Sequence, residues 1–585
     1  MHSKTPSRLG SVIFNGKAAL LRGARFVSDL TQPVRRLGHT DHKSYSSLLA
    51  ECRSPLWTAE SLVENSLQFG KVQNLRKACR RLHLVEIPAG EIFSFWKQTG
   101  RAKVSAGYVR GRELRQGCLI PTTGGGLCQL SNSLYDVALQ SGCEIVERHA
   151  HSAVVPGSAA EQGRDATIFW NYVDLRFRPT QNTLITAVLT QDELIVRLWG
   201  KQRLVSIQRE PRAGREHTAI NTCTDCGVSE CFRHVSAEAS VSAGRNAYLI
   251  DECWPEFEEF AHARRSTEDD LFLPYHSNWK KVGRYAWEPQ GYRRTIAGNV
   301  STLLAAAKSR LRLNGTLPPV AVQVARSAEL ADYYGRRLAI DVSHLYVAQS
   351  LLPFLWRRGD LGGRSFDVLM TRLPLRALHR QLDDLAIGFP ERKSFREFRA
   401  PEWMVTAESE ALERAGQIIT PHSALAGLFP LKATWLPWKF PAAKPASRGS
   451  CVVFAGPSLA RKGAFELREA LRGLGCQLRI LNGQAMESKN FWDGIEPAGP
   501  SGDWLERAAV VVQPAFVENN PRPLLRALSS GIPVIATPEC GIESHPMLTL
   551  VPAGDSTALR KALCGIIGSR DPEKLTSASA QLSRL

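Results

Sequence analysis

The stretch CVVFAGPSLARKGAFELREALRGLGCQLRIL, from Cys451 to Leu481, decides how the C-terminal part of the chain is built. Cys451 to Ala455 is short, apolar and rich in β-branched residues, which predicts a buried strand. Gly456 to Gly463 reads as a loop, Phe465 to Leu474 as an amphipathic helix and Gln477 to Leu481 as a second strand. The alternation resumes downstream, with strands predicted at Ala509 to Val512 and Ile532 to Ala536 and a helix at Pro521 to Ser529. Pro521 falls in the first turn, where helices accept proline, and Gly531 falls where they stop. Strands alternating with helices predict a parallel, doubly wound sheet, which holds ligands beyond the carboxyl ends of its strands.

Outward from that segment the chain divides by composition. The connector FPAAKPASRGS, Phe440 to Ser450, has hinge composition and separates a last domain, 437–585, from a second α/β stretch over 245–436. A cysteine-bearing insert covers 216–244, and mixed helical and strand patterns cover 41–215. Residues 1–40 form a basic lead-in, with Lys4, Arg8, Lys17, Arg22, Arg25, Arg35 and Arg36 against Asp29 alone. It reads either as a frayed, solvated terminus or as a basic amphipathic segment that touches anionic lipid.

A chain of 585 residues is too long for one ordinary domain, and 43% hydrophobic with 22% charged residues excludes wholesale disorder and a collagen-like architecture. No run of about 18 apolar residues occurs, so no transmembrane helix is expected. The net charge of +18 suits an anionic membrane or phosphorylated small molecules, or simply solubility. Basic motifs interleaved with aromatics are absent, so no specific nucleic-acid partner is expected. The 13 cysteines are scattered, and the apolar run Ala18 to Leu21 is too short for a secretory signal. The expectation is a cytoplasmic protein with reduced thiols, peripheral at most to the inner face of the membrane.

Three constellations carry chemistry. In PTTGGGLCQLSNSLYD, Pro121 to Asp136, three glycines precede a helical pattern of Leu127, Leu130, Leu134, Val137 and Ala138 that Gly142 can end. Cys128 then lies in the first helical turn, where the dipole and unbonded N–H groups favour a thiolate. If EIVERHAHS, Glu144 to Ser152, is a strand, Glu147, His149 and His151 share one face. A thiol with an imidazole is the minimum for acyl transfer, while a buried structural cysteine and half-buried polar histidines are the bland reading. Cys223, Cys226, Cys231 and His234 in TCTDCGVSECFRH have the number and type of ligands for structural zinc, with an iron–sulfur cluster or a metal-free loop as alternatives. Finally, Gly456, Lys462 and Gly463 in GPSLARKG, and Glu518, Asn519 and Asn520 in FVENNPRPLLRALSSG, fall after strands. There Lys462 suits a phosphate, Asn519 or Asn520 caps the next helix, the helix N–H groups face a diphosphate, and Glu518 accepts sugar hydroxyls. A solvated lysine and a surface acid are the alternatives.

The motifs IPAGEIFSF (Ile87 to Phe95), GGGLCQLSNSLYDVAL (Gly124 to Leu139), ERHAHS (Glu147 to Ser152) and GRDATI (Gly163 to Ile168), continued by YVDLRF (Tyr172 to Phe177), together resemble the VanW family over about residues 60–200. The resemblance implies a link to peptidoglycan and, as in cysteine-dependent L,D-transpeptidases, a nucleophilic role for Cys128 with His149 or His151. Cys451 to Leu563, with the weaker CGIES (Cys540 to Ser544), resembles the nucleotide-binding domain of family 4-type glycosyltransferases of GT-B fold. EALERAGQIITPHS, Glu410 to Ser423, is similar to the segment before the crossover in the partner domain, and Asp341 and His344 are weaker contact candidates. Two positions depart from that pattern: Arg526 stands where the second of two family glutamates belongs, and Pro457 where an arginine is usual.

These readings imply an α/β multidomain chain, an N-terminal α+β VanW-like domain followed by two Rossmann-like domains of a GT-B fold. The leading functional expectation is a retaining glycosyltransferase moving a sugar from a nucleotide-sugar donor to an envelope-related acceptor. A cysteine acyltransferase acting on a peptidoglycan precursor with a binding-only C-terminal half, or a non-catalytic carbohydrate-binding scaffold, are the rivals.

Overall fold

The computed structural model describes residues 8–31, 34–58, 62–115, 118–151, 161–202, 221–222, 244–276, 283–299, 302, 319–397, 399–442, 445, 449–498 and 503–568. Cys223, Cys226, Cys231 and His234 lie outside the described residues. The chain divides into two compact units, one of Met1–Asn246 with Arg337–Leu345 and Leu355–Ser365, the other of the remaining segments.

The first unit is α+β. Its main sheet is antiparallel, in the order Ser47–Pro55, Glu193–Gly200, Thr183–Leu189, Val85–Ile87. Thr183 to Ala187 is buried throughout, so this strand has no solvent face. Against it packs the helix Leu62–Leu82, which buries Val72, Leu75, Ala78, Cys79 and Leu82 at helical spacing. Two three-stranded sheets complete the unit, one of them Phe93–Ser94, Arg176–Arg178 and Glu144–Glu147.

Residues 8–31 form a 24-residue helix rather than a frayed lead-in. Ala18 is buried, Phe14 meets Phe169 edge-on, and Arg25 and Asp29 pair with Glu147 and Arg176.

The second unit is built on parallel strands. One sheet runs Arg294–Ala297, Asp270–Leu273, Arg245–Leu249, Val342–Ala348, Ser365–Leu369, Ile418–Thr420, Ala433–Trp435, which in chain order is 3-2-1-4-5-6-7. The other runs Gln477–Met486, Cys451–Ser458, Ala508–Gln513, Val534–Ala536, Leu548–Leu550, or 2-1-3-4-5. Both are doubly wound, Rossmann-like orders whose reversal opens a crevice at the strand carboxyl ends. Ala508 to Gln513 is buried at every position, the mark of a strand covered on both faces.

The two parallel sheets share an apolar cluster that includes Tyr248, Trp254, Trp438, Val511 and Leu525. Across it Arg522 donates both guanidinium arms to Glu256, whose side chain is fully buried. The same guanidinium lies 5.3 Å from the ring centre of Trp254 and 5.4 Å from that of Trp438.

Candidate active sites

The thiol site begins with the three-glycine turn. Gly124 (φ 83°) and Gly126 (φ 95°) adopt left-handed backbone that side chains disfavour. Asn74, from the long helix, receives the Val109 N–H and donates to the carbonyls of Val109 and Gly125, so one amide staples the turn. The turn delivers Cys128 as the second residue of the helix Leu127–Gln140, half-buried, with Leu127, Leu130, Leu134, Val137 and Ala138 buried beneath as expected.

The opposite wall is 163–168. Ser131 donates to the carbonyl of Ala166 at 2.6 Å, Asn132 receives the Ala166 N–H at 2.8 Å, and Arg164 pairs with Asp136 at 2.5 Å. These contacts hold Asp165 beside the helix start. Asp165 receives the backbone N–H of His151 at 2.6 Å, and its Oδ2 lies 2.9 Å from His151 Nδ1. Arg148 donates to Asp165 Oδ1 at 2.6 Å and to its carbonyl at 2.7 Å. The His151 ring is hydrogen-bonded in turn to Cys128, which also receives a backbone hydrogen bond at Ile168. Cys128, His151 and Asp165 therefore form a nucleophile–base–orienter chain.

The charges follow that geometry. Burial alone would raise the Cys128 thiol, but the hydrogen bond and charge of His151 outweigh it and lower its pKa. Burial would lower His151, yet Asp165 and the Cys128 thiolate hold it up to about 9. Burial would raise Asp165, but the two hydrogen bonds from His151 bring it below the usual carboxylate range.

The shared strand face expected for Glu147, His149 and His151 is absent, because the strand stops at Glu147. His149 lies instead 3.2 Å from Glu147 Oε1, while His151 turns to Asp165 and Cys128. Asp165 went unsingled in the sequence although it lies within GRDATI; nothing local marks which acid of a motif meets a histidine 14 residues earlier.

The second site forms where Cys451–Ser458 and Ala508–Gln513, paired in parallel, reach their carboxyl ends. The strand continues through Gly456 to Ser458, so Gly456 is a strand residue packed on Gln513 rather than a loop glycine. A 3-10 turn, Ala460–Lys462, follows, and Gly463 (φ 78°) precedes the helix Ala464–Leu471. Lys462 is therefore not solvated: Nζ donates to Glu518 Oε2 and to the Val517 carbonyl, each at 2.9 Å. The Lys462 and Glu518 side chains are only 9% and 11% exposed. Burial lowers the Lys462 ammonium despite the neighbouring carboxylate.

Pro521 precedes the helix Arg522–Ser529 and offers no side-chain cap, but Asn520 Oδ1 accepts the Arg522 N–H at 3.4 Å, so of the two asparagines Asn520 meets the helix start. Their backbone N–H groups each donate to Glu518 Oε1 at 2.9 Å. Glu518 thus accepts from the lysine on one oxygen and from two amides on the other. His422, following Ile418–Thr420 of the other parallel sheet, places Nε2 3.1 Å from the Glu518 carbonyl and packs against Gly541 (φ 64°) of the CGIES turn. Burial lowers the His422 imidazole, keeping it neutral. Arg526 pairs at the surface with Asp503 at 2.7 Å. Asp341 binds Arg245, and His344 Nδ1 lies 2.8 Å from Ser365 Oγ.

Gly463 tests the turn directly. A Cβ there would run into the Pro514 carbonyl, and the left-handed φ adds about 1–2 kcal/mol for any other residue. Gly463→Ala is expected to lower the unfolding free energy by at least that much, read as a lower urea midpoint at unchanged slope; an unchanged midpoint would contradict this packing.

Among the described residues, no group of three or more His, Cys, Asp or Glu could hold a metal ion. Residues 70–199 match the model of a family described as VanW like protein. This region is a VanW-like domain. It is 34% identical over 158 residues to the vancomycin B-type resistance protein VanW of Enterococcus faecalis (strain ATCC 700802 / V583), covering 26% of this chain and 58% of that protein. It is 29% identical over 152 residues to the uncharacterized protein YoaR of Bacillus subtilis (strain 168), covering 26% and 50%. The chain thus spans little more than half the length of these curated relatives. Cys128, His151 and Asp165 all fall inside the VanW-like domain. A sucrose-phosphate synthase from Thermosynechococcus elongatus aligns over 58% of this chain and 98% of its own, at 15% identity and a TM-score of 0.36.

Proposed function

We propose that the chain is a glycosyltransferase that takes a sugar from a nucleoside-diphosphate donor, with retention by resemblance, and passes it to an envelope-related acceptor. The observation that carries this reading is the buried Lys462–Glu518 pair at the strand carboxyl ends, with two backbone N–H groups converging on it. At rest the Glu518 carboxylate already accepts three hydrogen bonds, so binding of the nucleotide sugar exchanges partners. The diphosphate takes over Lys462 and the two N–H groups, and the released Glu518 carboxylate accepts sugar hydroxyls. As the bond from sugar to phosphate breaks, Lys462 and the amides stabilise the departing diphosphate. The test is nucleotide release over a panel of uridine, guanosine and adenosine diphosphate sugars, with candidate acceptors. Selective release from one donor supports the reading; binding without turnover across the panel would favour a carbohydrate-binding scaffold.

The triad supports a second reading for the VanW-like domain, a thiol acyl-transfer site. Cys128 would attack a carbonyl carbon, His151 would give its proton to the departing amine, and Asp165 would keep the imidazole oriented. A peptidoglycan-precursor peptide is the substrate class its resemblance implies.

A further inference from the structure

We propose that the helix Arg8–Thr31 is a membrane-surface anchor that seats the chain on anionic lipid. Its two faces have opposite fates. Phe14, Ala18, Arg22, Arg25 and Asp29 recur at helical spacing and meet the VanW-like domain. Arg22 donates to the Trp170 carbonyl, and its guanidinium lies 5.7 Å from the Tyr172 ring centre. Arg25 and Asp29 make the ion pairs with Glu147 and Arg176.

The reverse face is apolar and exposed. Val12, Ile13, Leu20, Val27 and Leu30 lie on it, with Leu20 77% and Leu30 67% exposed. At Gly16 and Gly23 on the same face a Cβ would meet nothing within 4 Å. A surface apolar residue alone needs no explanation, but five on one face of a helix about 36 Å long form a continuous stripe.

Charge selects the occupant. Lys17 is exposed beside the stripe, Arg36 is exposed just beyond the helix, and the helix's one acid, Asp29, is spent on Arg176. An apolar face bordered by cations with no uncompensated acid complements an anionic headgroup layer, where the stripe enters the acyl boundary and the cations meet phosphate. No helix among the described residues is long and apolar enough to cross a membrane, so the helix lies in the surface plane. Since Glu147 receives Arg25 and neighbours His149, seating this helix also brings the flank of the thiol site to the lipid surface.

The test is sedimentation of the full chain with vesicles of phosphatidylcholine alone or mixed with phosphatidylglycerol. Wild type is expected to sediment with the anionic vesicles and much less with the neutral ones. Leu20→Ser with Val27→Ser is expected to weaken that binding at least about tenfold, and Lys17→Glu to weaken it selectively on anionic vesicles. These exposed positions leave the melting temperature unchanged, which separates lost binding from lost fold. No sedimentation of wild type, or equal binding by the double variant, would overturn the proposal. So would a wild-type dimer in solution that the double variant converts to monomer, because a second copy would then own the stripe.

Discussion

Iodoacetamide is expected to alkylate Cys128 at neutral pH far ahead of Cys52, Cys79 and Cys540. Burial pushes those three thiols up to about 12, whereas His151 pulls Cys128 below the ordinary thiol range. The thiolate attacks the iodomethyl carbon and iodide leaves, so the rate follows the thiolate fraction. His151→Ala removes the hydrogen bond and the charge, leaving burial and the nearby Glu113 carboxylate to raise the thiol. The rate at pH 7 should then fall about tenfold for each pKa unit regained. Asp165→Asn should fall between the two, since it leaves the imidazole in place but removes the carboxylate that sustains its charge. Labelling is read on the Cys128 peptide by mass spectrometry across pH. Identical profiles for wild type and His151→Ala would sink the triad.

The same pair fixes a stability window. His151 titrates higher when folded, so its contribution is complete below the unfolded histidine value of about 6.5 and is lost as pH rises through about 9. The lowered Cys128 thiol contributes the opposite trend over the same range, so the two offset in the wild type; Cys128→Ser should unmask a loss of stability between those limits, and adding His151→Ala should remove it.

Lys462→Ala and Glu518→Ala are each expected to cut donor-dependent nucleotide release by about 10²–10³, the range seen when one stabilising donor is removed. Their secondary effects differ. Lys462→Ala leaves a largely buried carboxylate held only by two amides and should destabilise the fold, by up to about 3–5 kcal/mol. Glu518→Ala leaves an ammonium that still has the Val517 carbonyl and is already biased toward neutrality by burial. The double variant should cost less than the sum of the singles, as expected for directly coupled residues. Full release activity in both single variants would remove this site from the reaction, whatever the fold.

Much of the architecture was legible because periodicity is local. The strand at Cys451, the helix after the triple glycine and the parallel alternation all follow from patterns within ten to fifteen residues. Their ends were less legible: the strand through Ser458 outlasts its β-branched run because one parallel neighbour, Gln477–Met486, continues the ladder to Pro457 and Ser458 after the pairing with Ala508–Gln513 has stopped at Phe454. Pairings between distant segments were not legible. Lys462 and Glu518 are 56 residues apart, and both read as surface residues until the turn at Gly463 buries them against each other. Likewise Asn519 and Asn520 signal a cap by residue type, and Asn520 Oδ1 does receive the Arg522 N–H, but the turn of both backbone N–H groups onto the preceding carboxylate is carried by no propensity. The basic lead-in suggested solvation because its acids are few; its cations find Glu147 and the Trp170 carbonyl far along the chain.

The guanidinium of Arg522, shared by Trp254 and Trp438, gives the second unit a built-in optical gauge. Indole emission responds to a cation held near its ring. Here one indole follows the first strand of one parallel sheet and the cation opens a helix of the other. A hinge motion that parted the sheets would draw the charge away from both rings at once. The difference in emission between wild type and Trp254→Phe would then report opening in real time, with no dye attached and no substitution in either candidate active site.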